Sequence, residues 1–233
     1  MERNNTDTMT LDEAQTSPDI DYSAELIRKS IHLCSLSIPI VYYFLSKSTA
    51  LSILIPMTAA FFIVDVLRYF HQPTAELFYR WFRKLLRHHE VNGKTKTLNG
   101  ATYVLLSATL CVLIFPKIIV ITSFAILIIS DSAAALIGRR FGKHKFYHKS
   151  LEGSGAFLLS AIIVVLFTPK INYMPIEYLI GMIGGFVGML AEIASFDLLD
   201  DNVAIPLSIG GTMWLLYWLL LPSINIYRLD NIL

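Results

Sequence analysis

The chain has 233 residues, of which 55% are hydrophobic, and its mean hydropathy is +0.57. A soluble domain of this length could not bury so much apolar surface, so the composition indicates an integral membrane protein. Its 19 lysines and arginines nearly balance its 18 acidic residues, and its two cysteines, Cys34 and Cys111, lie in apolar runs, which argues against a disulfide framework or a thiolate metal site.

Along the chain, polar and apolar stretches alternate. Residues 1–24 are polar and without periodicity, and they predict a disordered cytoplasmic tail with no cleavable signal peptide. A membrane-embedded domain is predicted over 25–225, and a short C-terminal tail over 226–233. Seven apolar segments without strand-like alternation predict an all-α polytopic bundle of about seven transmembrane helices. These segments are 31–46, 49–70, 102–116, 118–138, 154–169, 175–195 and 203–222.

The distribution of positive charge predicts the orientation. With the N-terminus in the cytoplasm, 15 of the 19 lysines and arginines fall on or beside cytoplasmic segments. The other side keeps four: Lys47, Lys117, Lys170 and Arg228. The charged clusters then share the cytoplasmic face of one membrane, either the inner membrane of a bacterium or the endoplasmic reticulum of a eukaryote.

The first charged cluster lies in ELIRKSIHL, residues 25–33. On a helix, Arg28 and His32 are four residues apart and Lys29 and His32 are three apart, so all three can share one face. Two cations with an imidazole suit a polyphosphate. The same residues also suit a positively charged anchor at the membrane surface.

Asp131 lies inside the fourth apolar segment, seven residues before Gly138. An ionised carboxylate within a membrane helix is costly, which makes it a functional candidate. Ala134, Ala135 and Gly138 leave this side of the helix bare, so that a neighbouring helix or a ligand can approach. The competing interpretation is a packing face that contains one polar side chain.

The densest positive charge lies in GRRFGKHKFYHKSLEGSG, residues 138–155. It is not a P-loop, because the glycine spacing is one residue short and His144 follows Lys143 where Ser or Thr is required. Ser150 is predicted to cap a helix whose free amides, preceded by lysines, favour phosphate oxygens, and Gly153 permits close backbone approach. The alternative is a basic loop that contacts anionic lipid headgroups.

Acidic residues surround the end of the sixth segment, where a glycine stripe precedes Glu192 and where Asp197 and Asp201 follow. Hard oxygen ligands of this kind suit Mg²⁺ or another divalent cation, which usually takes one or two carboxylates together with substrate phosphates. The alternative is a solvated acidic turn. Taken with the cations and the bare membrane face, these acids predict phosphoryl transfer to a lipid, with a nucleotide arriving from the cytoplasm and a hydroxyl through the bilayer.

Five segments resemble, in order, those of the dolichol kinase, phytol kinase and CTP-dependent diacylglycerol kinase family: ELIRKSIHL, NGKTKTLNGATYVLL, DSAAALIGRRFG, KSLEGS and FDLLDDNVAIP. This family shares a CTP-transferase-type region with CDP-diacylglycerol synthases, and the resemblance covers about residues 25–212. It implies transfer of the terminal phosphate of CTP, with a divalent metal, to a lipid hydroxyl. The long extra membrane segments of dolichol kinases are missing, which favours the compact members that act on diacylglycerol, phytol or other prenols.

The resemblance also implies site residues. Arg28 and Lys29 match the family's basic pair, and Asp131 and Gly138 match its intramembrane acid and the glycine that follows. Lys149, Ser150 and Gly153 match its KS-x-x-G turn. Asp201, Asn202 and Pro206 match its DN…P ending. We expect a catalytic set of Asp131, Lys149, Arg28, Lys29 and His32, in which Asp131 or His32 takes the hydroxyl proton. We expect a nucleotide-binding set of Gly138, Arg139, Lys143, Ser150, Glu152, Gly153 and Asn202. We expect a metal-binding set of Asp201, Glu192 and Asp197.

Two alternatives belong to other reaction or protein classes. A phosphatidate cytidylyltransferase also uses CTP but transfers the nucleotide and releases pyrophosphate; the chain is short for that enzyme and lacks its usual signature. A small ion-coupled carrier could use Asp131 and Glu192 as membrane carboxylates, but no repeated halves are visible. No nucleic-acid partner is expected, and no oligomeric state is indicated.

Overall fold

The computed structural model describes residues 18–72, 76, 98–146, 149–195 and 200–230. The predicted metal ligand Asp197 and most of the predicted N-terminal tail lie outside these residues. The described chain forms eight α-helices and one short hairpin. In order they are α1 (Pro18–Cys34), α2 (Ser37–Tyr43), α3 (Lys47–Phe70), α4 (Gly100–Ile114), α5 (Lys117–Phe141), β1 (Lys145–Phe146), β2 (Lys149–Ser150), α6 (Leu151–Phe167), α7 (Pro175–Ala194) and α8 (Asp201–Leu220).

The predicted class of a multi-pass helical membrane protein is confirmed. Four helices, α3, α5, α7 and α8, are long and apolar enough to cross a membrane. Helices α4 and α6 are equally apolar but have only 15 and 17 residues. The count of about seven spans therefore stays a prediction.

The first predicted segment, 31–46, is two helices and not one. The break falls at residues 35–36, between α1 and α2. A continuous helix would need a backbone N–H at Pro39 to donate to the carbonyl of Ser35, and proline has none. Helix α1 also begins at Pro18, inside the stretch predicted as a tail.

Helix α5 is the centre of the bundle. It packs against α1, α2, α6 and α8, and most of its residues are buried. The apolar core follows it, with Ile119, Phe124, Ile126 and Leu127 fully enclosed. Asp131 therefore lies in the interior, on the helix that is packed on the most sides.

Glycines allow close contact at two of the helix interfaces. A Cβ on Gly153 of α6 would lie 2.9 Å from the carbonyl oxygen of Ala134 and 3.3 Å from the Cα of Gly138, both in α5. In the glycine stripe of α7, a Cβ on Gly188 would lie 2.6 Å from the side chain of Ile209 in α8. The small residues thus allow neighbouring helices to approach, which is the packing alternative for these stripes.

Candidate active site

A cavity of about 960 Å³ lies among α1, α3, α4 and α5 and extends to the first residues of α6 and α8. It collects 12 of the 15 predicted site residues, from five separate stretches of chain. These residues are Arg28, Lys29, His32, Asp131, Gly138, Arg139, Lys149, Ser150, Gly153, Glu192, Asp201 and Asn202. Of the other three, Lys143 and Glu152 do not line the cavity, and Asp197 lies outside the described residues.

One ion pair joins α1 to α5 inside the cavity. The Nζ atom of Lys29 lies 2.5 Å from Oδ2 of Asp131, and Nε2 of His32 lies 3.6 Å from the same oxygen. The three side chains are nearly buried. The helical spacing of Lys29 and His32 therefore brings both side chains to the same oxygen of Asp131. The lysine compensates the negative charge of that carboxylate.

A second cluster joins two predicted residues, Arg28 and Arg139, through a carboxylate that was not predicted. Glu25, which is only 2% exposed, forms ion pairs with Arg28 and with Arg139, whose Nη2 lies 3.0 Å from Oε2 of Glu25. This buried carboxylate connects α1 to the end of α5 and holds two guanidinium groups at the cavity. Its i,i+3 spacing from Arg28 was a visible signal, but the contact with Arg139 was not.

The third cluster centres on Lys149, in β2. Its Nζ lies 2.7 Å from Oε1 of Glu192 and 3.2 Å from Oδ2 of Asp201, at the end of α7 and the start of α8. Burial alone would lower the pKa of Lys149, but the Asp201 and Glu192 carboxylates outweigh it and raise the pKa to about 12. Lys149 therefore carries its positive charge throughout the physiological range.

This cluster also bears on the predicted metal. Glu192 and Asp201 converge on one cationic group, and Oε2 of Glu192 is buried without a hydrogen-bond partner in the described part of the chain. No group of three potential ligands forms a metal site among the described residues. Two carboxylates suffice for Mg²⁺ when substrate phosphates supply further oxygens, so this donor set fits a divalent ion that arrives with a nucleotide.

A buried network on the far wall of the cavity was also missed. The Asp65 carboxylate accepts hydrogen bonds from the backbone and side-chain N–H groups of Asn99, at 2.9 and 2.8 Å, and from the hydroxyl of Thr102 at 2.6 Å. Asn99 in turn caps α4 by accepting from the N–H of Thr102 at 3.0 Å. Since Asn99 lines the cavity, Asp65 fixes the position of this wall.

The hairpin between α5 and α6 places Lys149 and explains why Glu152 points elsewhere. Strands β1 and β2 pair antiparallel, a strand structure that was not predicted. The Glu152 carboxylate lies 2.8 Å from Nδ1 of His144 and 3.3 Å from its backbone nitrogen, so it fastens the hairpin. The prediction that Ser150 caps a helix is confirmed, because its Oγ accepts from the N–H of Gly153 at 3.1 Å.

Comparison with known proteins gives three similar chains. The chain is 32% identical over 191 residues to the uncharacterized protein RP860 of Rickettsia prowazekii, which covers 81% of this chain and 92% of that protein. It is 27% identical over 169 residues to CTP-dependent diacylglycerol kinase 1 of Schizosaccharomyces pombe, covering 66% and 75%, and 28% identical over 208 residues to CTP-dependent diacylglycerol kinase 1 of Saccharomyces cerevisiae, covering 78% and 70%. No family model matches the chain, and no solved structure matches it.

Proposed function

Because the chain belongs to the family of the Rickettsia protein RP860 and is a distant homologue of two CTP-dependent diacylglycerol kinases, we propose that it is a CTP-dependent lipid kinase. It transfers the terminal phosphate of CTP to the hydroxyl of a membrane lipid and releases CDP. The acceptor is diacylglycerol, phytol or a polyprenol such as dolichol. Diacylglycerol is the first to test, since both curated kinases are named for it.

The observation that carries this proposal is the meeting of cations and carboxylates in one cavity. Five lysine and arginine side chains line it, Lys145 among them. The other four lie in ion pairs with carboxylates: Arg28, Lys29, Arg139 and Lys149. Cations arranged in this way can exchange their carboxylate partners for the phosphates of a nucleotide. Phosphoryl transfer asks little more of a protein than such positioning and charge neutralisation.

In the proposed mechanism the lipid hydroxyl oxygen bonds to the terminal phosphorus of CTP as the bond to the bridging oxygen of CDP breaks. Lys149, Arg28 and Lys29 neutralise the charge on the transferring group. Asp131 or His32 takes the hydroxyl proton. Nε2 of His32 lies 3.6 Å from Oδ2 of Asp131, so both groups are close to the same hydroxyl position. A divalent cation on Glu192 and Asp201, with Asp197 as a further ligand, would supply additional charge neutralisation on the phosphates.

The remaining predicted residues hold the nucleotide. We assign that role to Gly138, Arg139, Lys143, Ser150, Gly153 and Asn202, and we assign to Glu152 the indirect role of holding the hairpin that carries Lys149. Gly138 and Gly153 lie at the contact between α5 and α6 and also line the cavity, so each can serve both helix packing and nucleotide binding. Lys143 is exposed, and it would reach the nucleotide from the cytoplasmic side.

We also propose seven spans, with α1 and α2 together forming the first. The N-terminus and the cavity mouth then face the cytoplasm, where CTP is available. This orientation is supported by the 15 positive side chains on one side against four on the other. Labelling of single introduced cysteines from each side of sealed vesicles would test it.

The test of function is a product assay with labelled CTP. Purified protein in mixed micelles receives [γ-³²P]CTP or [α-³²P]CTP with diacylglycerol, phytol or a polyprenol. Label that enters lipid only from the γ position supports the kinase, and the best acceptor identifies the substrate. Label that enters phosphatidate from the α position would make the protein a cytidylyltransferase. No transfer from CTP or ATP would reject both and favour the carrier.

A further inference from the structure

Part of the cavity lining is apolar. It is formed by Ile31 of α1, by Ala60, Phe61 and Val64 of α3, and by Val104 of α4. Three of these residues are also strongly exposed: Ile31 at 49%, Phe61 at 43% and Val64 at 44%. Because these three side chains line the cavity and are also exposed, we infer that it opens beside them, as it does beside the exposed Gly142 and Lys145.

The three exposed lining residues lie on two helices, α1 and α3, that share no extensive interface in the described part of the chain. Helix α1 packs on α5, and helix α3 packs on α4, with no packed interface between α1 and α3 among the described residues. Both helices carry further exposed apolar side chains, such as Ile27 on α1 and Phe62 on α3. The opening is therefore bordered by surfaces that suit the hydrocarbon of a bilayer.

The depth of the opening matches the depth of the ion pairs. Phe61 is nine residues before the end of α3 at Phe70, or roughly 14 Å at 1.5 Å per residue, and Asp131 is ten residues before the end of α5 at Phe141, or roughly 15 Å. Both helices are membrane-span candidates. A hydrocarbon core of about 30 Å thus reaches the opening from the side.

We propose that the lipid alcohol enters between α1 and α3, and that Phe61 and Val64 contact its hydrocarbon tail next to the reacting hydroxyl. This inference rests on the proposed lipid kinase function. The apolar part of the lining receives the first carbons of the tail, and the hydroxyl points to Asp131 and Lys29. The sizes of the two α3 side chains then decide which tails bring the hydroxyl into reach.

The test compares tryptophan substitutions on neighbouring residues of α3. Phe61→Trp and Val64→Trp narrow the opening, whereas Phe62→Trp and Ile63→Trp change residues that are 45% and 54% exposed but do not line the cavity. We expect the first pair to raise the KM for the lipid about tenfold, a difference of about 1.4 kcal/mol, and to leave the KM for CTP unchanged. The control pair should match the wild type. Equal lipid KM values in all four variants would overturn the proposal.

A second measurement does not depend on turnover and so separates this proposal from the kinase assignment. A long-chain alcohol with a diazirine close to its hydroxyl is photolysed with the protein in bilayer nanodiscs, and the labelled peptide is identified. Labelling around residues 60–64 that Phe61→Trp abolishes and Phe62→Trp preserves supports the entrance, even where the wild type transfers no phosphate. Labelling confined to other helices would overturn it.

Discussion

Lys149 and Glu192 form an ion pair, with 2.7 Å between Nζ and Oε1, that connects β2, just before α6, to the end of α7. Glu192 is 3% exposed, so Lys149→Met would leave a buried carboxylate without its cation. Removing one member of a buried pair costs about 3–5 kcal/mol; because Lys149 is partly exposed we expect less, about 2 kcal/mol, or roughly 5 °C in the apparent melting temperature. Phosphoryl transfer should fall at least a hundredfold.

The double variant Lys149→Met/Glu192→Gln is the matched control. It removes both charges, so thermal unfolding in detergent should return towards the wild-type temperature while activity stays lost. If Lys149→Met alone is as stable and as active as the wild type, the pair has neither role.

The charge of Lys149 has a consequence for pH dependence. Its pKa in the folded protein, about 12, lies above the ordinary 10.5. The ion pairs of Lys149 therefore contribute their full stability below pH 10.5, and that contribution is lost only as the pH rises through about 12. We expect that any loss of activity between about pH 8 and pH 10 has another origin. In kcat/KM profiles, Lys149→Arg should keep the alkaline limb of the wild type, whereas a limb that moves upward with arginine would contradict this.

Much of the site could be predicted from local sequence. Helical spacing was enough to put Arg28, Lys29 and His32 on one face, because the geometry of a helix does not depend on its surroundings. Asp131 could be identified because the bilayer makes an unneeded carboxylate costly. The cap at Ser150 follows from the preferences of a helix N-terminus.

The missed features depend on contacts between distant parts of the chain. Glu25 and Arg139 are 114 positions apart, and Asp65 and Asn99 are 34 apart, so no local spacing indicates either pairing. The hairpin was not predicted because two-residue strands are too short to show a period-two pattern. The helix break before Pro39 could have been predicted from the proline, but the continuous apolar run around it favoured a single span.

Asp131→Asn tests the proposed proton acceptor. The amide can still accept a hydrogen bond from Lys29 but cannot take a proton. Because Lys29 loses its buried counter-charge, the melting temperature should fall, and rates are compared at temperatures where the variant is folded. We expect turnover to fall by about 10²–10⁴, the usual contribution of general acid–base catalysis, while CTP still protects the protein against heat. His32→Gln, measured alongside, shows which of the two groups carries the proton. Normal turnover in Asp131→Asn would remove Asp131 from the mechanism.

Two glycines of α6 offer a matched pair for the packing beneath the site. A Cβ on Gly153 would lie 2.9 Å from a backbone oxygen, that of Ala134, which cannot move without shifting α5. A Cβ on Gly155 would meet nothing within 4 Å. We expect Gly153→Ala to destabilise the protein by about 1–3 kcal/mol through overpacking, and Gly155→Ala to stabilise it by about 0.4–1 kcal/mol by restricting the unfolded chain.

Activity should separate the same two variants. Gly153→Ala pushes α6 away from Gly138 and so moves Ser150 and Lys149, which precede it, relative to Asp131 on α5; kcat should therefore fall even at temperatures where the variant is fully folded. Gly155→Ala should retain wild-type kcat. Apparent melting temperatures and initial rates on the same preparations measure both effects. Equal behaviour of the two variants would show that the close approach of α5 and α6 is not needed to hold Lys149 in the cavity.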